Sequence, residues 1–488
     1  MTTSRSKNGS VQHEHSGAHA VEFFAKAGSL FTNRGEHYGG ETSALELFKN
    51  VWYSGDYEMA VKLLFWLRDP RGGAGNRSGF RECASWLSQE APEWVISNAS
   101  QIPKYGRWDD MSALYSNAET AETASNIWAN EILSNSVLAA KWATRKDRRL
   151  LRAVRKLGDI KDIGDYRRLL SKVRSGVIEV AMSKKSYDTI DYSKVPSVAM
   201  SRYTNAFNRN DSDRFIEYKG RLEKAIETGD KSVKVNTGAI FPHDVMRTMR
   251  NGDRDMADMQ FASLPNFMKD SNARIMPIAD TSGSMDVQIS GDVRAVDISQ
   301  GLALYCSDKL GKDNPFYRKF MQFCDEAKLT DWGEYKTVSK AMDARLFNGA
   351  IGSTDIIKSL DTILKYGKMF NATKEQMPNH LLIISDMQFN SDSSYGWGNG
   401  TTPNSQDATV VNVALEKWKS AGFDKPNIIY WNTAGNSGSP EKATTPNTCL
   451  VSGFSPSILK AIFTNPDSMS PYNVMMEAIK DYEVIVPQ

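Results

Sequence analysis

PIADTSGSMD, residues 277–286, decides how the second half of this chain is read. Mostly apolar residues (Ile275, Met276, Pro277, Ile278) lead into it, as in a strand buried on both faces. Asp280, Ser282 and Ser284 then follow at alternate positions. Beyond about Asn272 further β-rich runs recur: KFMQFCD, HLLIISD, PNIIYWNT and NTCLVSG. Helix-like stretches separate them at 293–310, 355–366, 407–421 and 455–463. Strand–helix alternation over about 215 residues predicts a parallel, doubly wound α/β sheet. In such sheets ligand sites lie in loops beyond the carboxyl ends of the strands.

The first half has a different period. In TSALELFKNVWYSGDYEMAVKLLFWLRD, Leu45, Phe48 and Trp52 recur at helical spacing. A break at Gly55 and Asp56 precedes Met59, Leu63, Trp66 and Leu67. Two short amphipathic helices joined by a tight turn are the unit of helical-repeat proteins. Further helices are expected at 80–87, 94–99, 111–115, 121–138 and 149–157, without a fixed repeat length. The organisation expected is a disordered polar tail over 1–20, a helical domain over 21–270 and an α/β domain over 271–488.

Bulk properties exclude several classes. The chain has 488 residues and a net charge of +2, so any affinity for nucleic acid must be local. Cys83, Cys306, Cys324 and Cys449 are scattered without ligand spacing, which argues against a zinc site or disulfide framework and for a reducing cytoplasm. No apolar run approaches the ~18 residues of a membrane span.

Asp280, Ser282 and Ser284 form a D-x-S-x-S loop in which Gly283 permits a tight backbone. Mg²⁺ requires hard oxygen ligands at ~2.0–2.1 Å in a near-octahedral shell, and alternate residues of a curling loop can aim two hydroxyls and a carboxylate at one point. GSTDI offers Thr354 before a helix, and LLIISDMQ ends on Asp386. The alternative is that these polar groups hydrogen-bond one another without metal. The three-part pattern resembles the metal-ion-dependent adhesion site of von Willebrand factor A domains. That resemblance implies direct ligation of Mg²⁺ (or Mn²⁺ or Ca²⁺) by Ser282 and Ser284, and by Thr354 directly or through water. Asp280 and Asp386 would act mainly through waters. Met387 stands where many such domains have glycine. No histidine, lysine or third free carboxylate sits beside the motif to act as a base, so capture of an acidic group from a partner is expected rather than catalysis.

The segment 141–174, KWATRKDRRLLRAVRKLGDIKDIGDYRRLLSKVR, carries 13 Lys/Arg against 4 Asp, a local +9. On a helical wheel Arg145, Arg148, Arg149, Arg152 and Lys156 share one face, flanked by Lys141 and Lys146, with Leu150, Val154 and Leu157 opposite. Such a stripe can track a phosphate backbone, although a run of Lys/Arg is ordinarily a solvated face. RDPRGGAGNRSGFR sets Arg68, Arg71, Arg77 and Arg81 around a Gly-rich turn whose N–H groups and arginines together suit phosphate; its spacing is not that of a Walker loop. PKYGRWDDM adds Tyr105, Arg107 and Trp108, aromatic groups able to stack on bases, while Trp108 also fits a core position with Met111 and Tyr115.

Read in order, RDPRGGAGNRSGFR, PKYGRWDDM, LAAKW, IDYSKVPSVAMSRYTNAF, AIFPHDV, ADTSGSM, GSTDI, SDMQF and SGFSPSILKAI resemble the TROVE-related family, relatives of the Ro autoantigen. The resemblance implies a helical-repeat (HEAT-like) half joined to a von Willebrand factor A-like domain. It also implies binding of small noncoding RNA, with Lys141, Arg145, Arg148, Arg149 and Arg152 in the RNA surface. The expected function is that of a noncatalytic RNA-binding ribonucleoprotein component. The alternative is an interaction or assembly module that uses the metal site to hold an acidic group of a partner. Neither half displays a nucleophile–base pair or two-carboxylate arrangement, so an enzyme is not expected.

Overall fold

Six strands build the sheet that the alternation predicts: β1 (Ile275–Asp280), β2 (Lys319–Phe323), β3 (Lys328–Asp331), β4 (His380–Ser385), β5 (Asn427–Asn432) and β6 (Thr448–Ser452). The computed structural model describes residues 3–5, 11–13, 17–30, 43–228, 240–269, 271–290, 293–323, 327–347, 356–387, 410–433, 442–454, 458–464 and 469–488. The spatial order is β6-β5-β4-β1-β2-β3. Five strands are parallel, and β3 runs antiparallel to β2 at one edge. Every position of β1 and β4 is buried, as central parallel strands require, which is why their sequences are apolar runs rather than alternations. KLTD, the short β3, carries no such run, because an edge strand exposes most of its positions.

From β1 the chain steps outward to β2 and β3, then returns past β1 to lay down β4, β5 and β6. Right-handed crossovers in opposite directions put the connecting helices on opposite faces. The helix Ala295–Asp308 packs on β1, β2 and β4, and the helix Ile356–Met369 on β2 and β3. The reversal of strand order falls between β1 and β4, so the crevice of the sheet opens at their carboxyl ends.

The chain divides into two compact units, one of residues 1–51 with 240–478 and the other of 52–239 with 479–488. This differs from the linear division at 20/21 and 270/271, because apolar period locates helices without saying what they cover. The helix His19–Lys26 starts at the end of the stretch expected as a tail and falls mostly in that expected as the helical domain, yet it packs on β5 and β6. There the Gly28 N–H donates to Ser452 Oγ at 3.0 Å, and Ser452 Oγ donates to the Phe24 carbonyl at 2.7 Å. Ser29 Oγ donates to the Asn432 carbonyl at 2.6 Å. Ahead of it, Thr3–Arg5 pairs antiparallel with Val11–His13. The helix Pro242–Arg250 also belongs to the α/β unit and packs on Ala295–Asp308.

In the helical unit each helix packs chiefly on near neighbours in sequence, the mark of a helical-repeat architecture. The stretch expected as one helix over 121–138 is two, Ala118–Leu133 and Val137–Trp142. Asn135 adopts φ 62° between them, and Ser136 caps the second by accepting from the Ala139 N–H. The final residues complete this unit: Asn98 Nδ2 donates to the Ile485 carbonyl and the Ile485 N–H donates to Asn98 Oδ1, both at 2.8 Å.

Helices Pro242–Arg250 and Ala295–Asp308 approach so closely that a Cβ on Gly301 would stand 2.6 Å from the Pro242 carbonyl carbon. Gly301→Ala is expected to lower stability by about 1–3 kcal/mol, read as a drop in the thermal midpoint. Gly283→Ala, where a Cβ would meet nothing within 4 Å, is the control expected to leave it unchanged.

Candidate functional site

Strand pairing brings two of the predicted acidic residues together. β1 and β4 pair through Ala279 and Ile384, so Asp280 and Asp386 follow at adjacent carboxyl ends, at the reversal of strand order. Both are buried. Asp280 Oδ1 accepts the Ser282 N–H at 3.0 Å, and Oδ2 accepts Ser385 Oγ at 2.7 Å. Burial, and after it the charge of Asp386, pushes the Asp280 carboxyl up to about 6. Ser282 and Ser284 lie with their Oγ atoms 3.0 Å apart, Ser284 being exposed. That separation is a hydrogen bond, and it also falls at the edge length of an octahedron with ~2.0–2.1 Å metal–oxygen distances, about 2.8–3.0 Å. Thr281 Oγ1 is buried without a hydrogen-bond partner among the described residues.

Two buried carboxylates and the neighbouring Ser282 and Ser284 hydroxyls are hard oxygen donors of the kind a divalent cation takes, and such a cation would offset the repulsion between the acids. Asp280, Ser282, Ser284 and Asp386 would hold it. Thr354 lies outside the described residues. Among the described residues no group of three or more His, Cys, Asp or Glu gathers to hold a metal, so such a site depends on hydroxyls. Gly283 is not what the loop requires, since its φ is not left-handed and a Cβ there is unobstructed. The left-handed residue is Met387, at φ 64°, which accounts for glycine at that place in similar domains. Ser385 was not singled out from sequence, although it stands beside Asp386. Its Oγ both donates to Asp280 and accepts the Met387 N–H at 3.0 Å, tying the two loops together.

The second constellation is cationic. The helix Arg148–Leu157 buries Leu150, Ala153 and Val154 and exposes Arg148, Arg149, Arg152 and Lys156. Leu157 is 42% exposed, so the apolar face is shorter than expected. Arg145 precedes the helix, because Asp147 caps it by accepting from the Arg149 and Leu150 N–H groups. Several of the predicted cations are engaged: Lys141 with Glu179 and Lys156 with Glu122, both at 2.9 Å, and Arg145 with Ser171 Oγ at 3.2 Å. Arg149 lies 5.1 Å over the Tyr115 ring. Lys146, Arg148 and Arg152 have no hydrogen bond or ion pair among the described residues.

The Gly-rich loop differs from a phosphate cradle. Its N–H groups close the preceding helix: Gly73 on the Asp69 carbonyl, Ala74 on the Trp66 carbonyl and Asn76 on the Leu67 carbonyl, while the Arg71 N–H donates to Asp69 Oδ1. What it leaves for ligand is the side chain of exposed Arg77. Nor are Tyr105 and Trp108 free to stack on bases. Tyr105 packs on Phe65 and Tyr482 at 5.1 and 4.9 Å, and Trp108 stacks on Trp128 at 6.4 Å. The aromatic residue that matters is Trp142, unnoticed in the sequence because its partner is 35 residues away. The Arg107 guanidinium lies 3.9 Å over its ring and joins PKYGRWDDM to the basic segment.

Residues 274–483 match the family described as Domain of unknown function (DUF7788), and residues 164–276 match Domain of unknown function (DUF2828). "Uncharacterized protein L728" of Acanthamoeba polyphaga mimivirus is 24% identical, over 98% of this chain and 87% of that protein. Among solved structures, the crystal structure of the Deinococcus radiodurans RO (RSR) protein aligns with a TM-score of 0.48 and 13% identity, covering 95% of this chain and 100% of that one. None of these likenesses assigns an activity, so what the chain does has to be read from its own side chains.

In metal-free protein the folded state holds the Asp280 proton more tightly than the unfolded chain does. Its contribution to stability is therefore full below pH 3.8 and lost as pH rises through about 6. Asp280→Asn is expected to remove this fall, on the order of 2–3 kcal/mol, from urea unfolding curves of chelator-treated protein measured between about pH 4 and pH 7.

Proposed function

We propose that this protein is a noncatalytic RNA-binding protein, a ribonucleoprotein component that holds small noncoding RNA on the cationic surface of its helical unit. The observation that supports this reading is the Arg107–Trp142 stack, which joins Arg107 to the basic segment carrying exposed Lys146, Arg148 and Arg152, whose side chains are unpaired among the described residues. Phosphates neutralised by such cations release counterions, so affinity should fall steeply with salt. The motif order that resembles the TROVE-related family leads to the same partner. In filter binding at two salt concentrations, Arg148→Gln with Arg152→Gln is expected to weaken RNA binding. The salt slope should fall by about 0.7–0.9 for each phosphate contact removed. RNA affinity that is absent, or indifferent to salt, would end this reading.

The buried acids at the strand reversal favour a second role. With Asp280, Ser282, Ser284, Asp386 and Thr354 around it, Mg²⁺ (or Mn²⁺ or Ca²⁺) would supply a Lewis-acidic position open to a carboxylate of a protein partner. Asp280→Ala combined with Ser282→Ala should abolish the Mg²⁺-dependent rise in thermal midpoint and any metal-dependent partner capture, while far-ultraviolet circular dichroism stays unchanged. A double variant that still responds to Mg²⁺ would refute the site.

A further inference from the structure

Arg77 opens the helix Arg77–Glu90, and Arg81 stands one turn later on the same face. Arg81 is pinned, its Nε donating to Asp110 Oδ1 at 2.7 Å and its Nη2 pairing with Asp109 at 2.8 Å. Asp109 also takes two N–H groups of Arg107, at 2.9 and 2.7 Å, and Asp110 takes Arg68 Nε at 2.6 Å. Two carboxylates are thus shared by three guanidinium groups, and Arg77 adds a fourth without a carboxylate of its own. Four positive charges against two negative ones leave the cluster at +2.

Arg77 is exposed and has no hydrogen bond or ion pair among the described residues. Partial loss of hydration, then the neighbouring Arg107 and Arg81, hold its pKa below the ordinary arginine value. The N–H groups of Arg71, Gly73, Ala74 and Asn76 are already bonded at the end of the preceding helix, so the donors argued for here are guanidinium groups. A planar fork of N–H donors matches two oxygens of a phosphate, and a mono- or dianion would offset the uncompensated charge.

We infer that Arg77, with Arg81 and Arg107 beside it, forms a phosphate-binding subsite of the helical unit. The subsite rests on the RNA reading only for the source of its phosphate, an RNA phosphodiester, since Arg107 leads through Trp142 to the basic segment. A free phosphate ion would use the same donors.

Calorimetry with inorganic phosphate and filter binding with a single-stranded RNA oligonucleotide test it, on the full-length protein and its Arg77→Gln and Arg77→Lys variants. Expected are phosphate binding that Arg77→Gln abolishes, RNA affinity about tenfold lower in Arg77→Gln with a salt slope smaller by roughly 0.7–0.9, and partial recovery in Arg77→Lys. If Arg77→Gln binds RNA as wild type while Arg148→Gln with Arg152→Gln does not, the subsite is overturned and the RNA reading stands. If phosphate binding depends on Arg77 but no RNA is bound, the subsite stands for a free phosphate and the RNA reading falls. Absence of phosphate binding and of any Arg77 effect on RNA overturns the subsite.

Discussion

Asp110 holds the cationic face of the helical unit in place. Its carboxylate is fully buried and accepts from Arg68, Arg81 and the Arg107 N–H, the last at 2.8 Å. Losing one member of a buried ion network leaves the others uncompensated, typically at a cost of about 3–5 kcal/mol. That cost makes the arrangement rigid. Arg107 is fixed against Asp109 on one side and Trp142 on the other, so residues far apart in sequence present charge from a defined position. The acids neutralise part of the arginine charge and in return give it a place.

The α/β unit meets the opposite problem, negative charge under cover. Where the strand order reverses, the chain sets Asp280 and Asp386 side by side under cover. Hydrogen bonds from Ser282 and Ser385 lower the cost without removing it, as the raised Asp280 pKa records. Met387 carries a second local cost, a left-handed backbone in a residue with a side chain, and burial of that side chain helps to retain it. Strain and charge are thus gathered at one strand end.

Much of this was legible in the chain. The apolar runs mark five of the six strands, and the alternation with helices gives the sheet type, because burial on both faces demands such runs. Asp280 and Asp386 were visible as the first acidic residues after two of them. What could not be read is who meets whom at long range. Trp142 looks like any helix aromatic until Arg107 covers it, and Ser385 looks like a strand residue until its hydroxyl bridges two loops. The Gly-rich turn misled for a related reason. Its composition suits a phosphate cradle, but the same N–H groups serve as well to close a helix, and Trp66, Leu67 and Asp69 had the nearer carbonyls. The helix His19–Lys26 was not foreseen as part of the α/β unit because its apolar face answers to strands made far along the chain.

That last separation bears on biosynthesis. The bond between Gly28 and Ser452 spans 424 positions. A ribosome adding about 5–20 residues per second needs on the order of 20–85 s to bring the second partner into being. Within that interval the amphipathic stretch around Phe23 and Phe24 waits for its strands, and all of the 52–239 portion is synthesised before β5 and β6 exist. The segment around Phe23 and Phe24 should therefore draw chaperone contacts in nascent chains until β5 and β6 have been made.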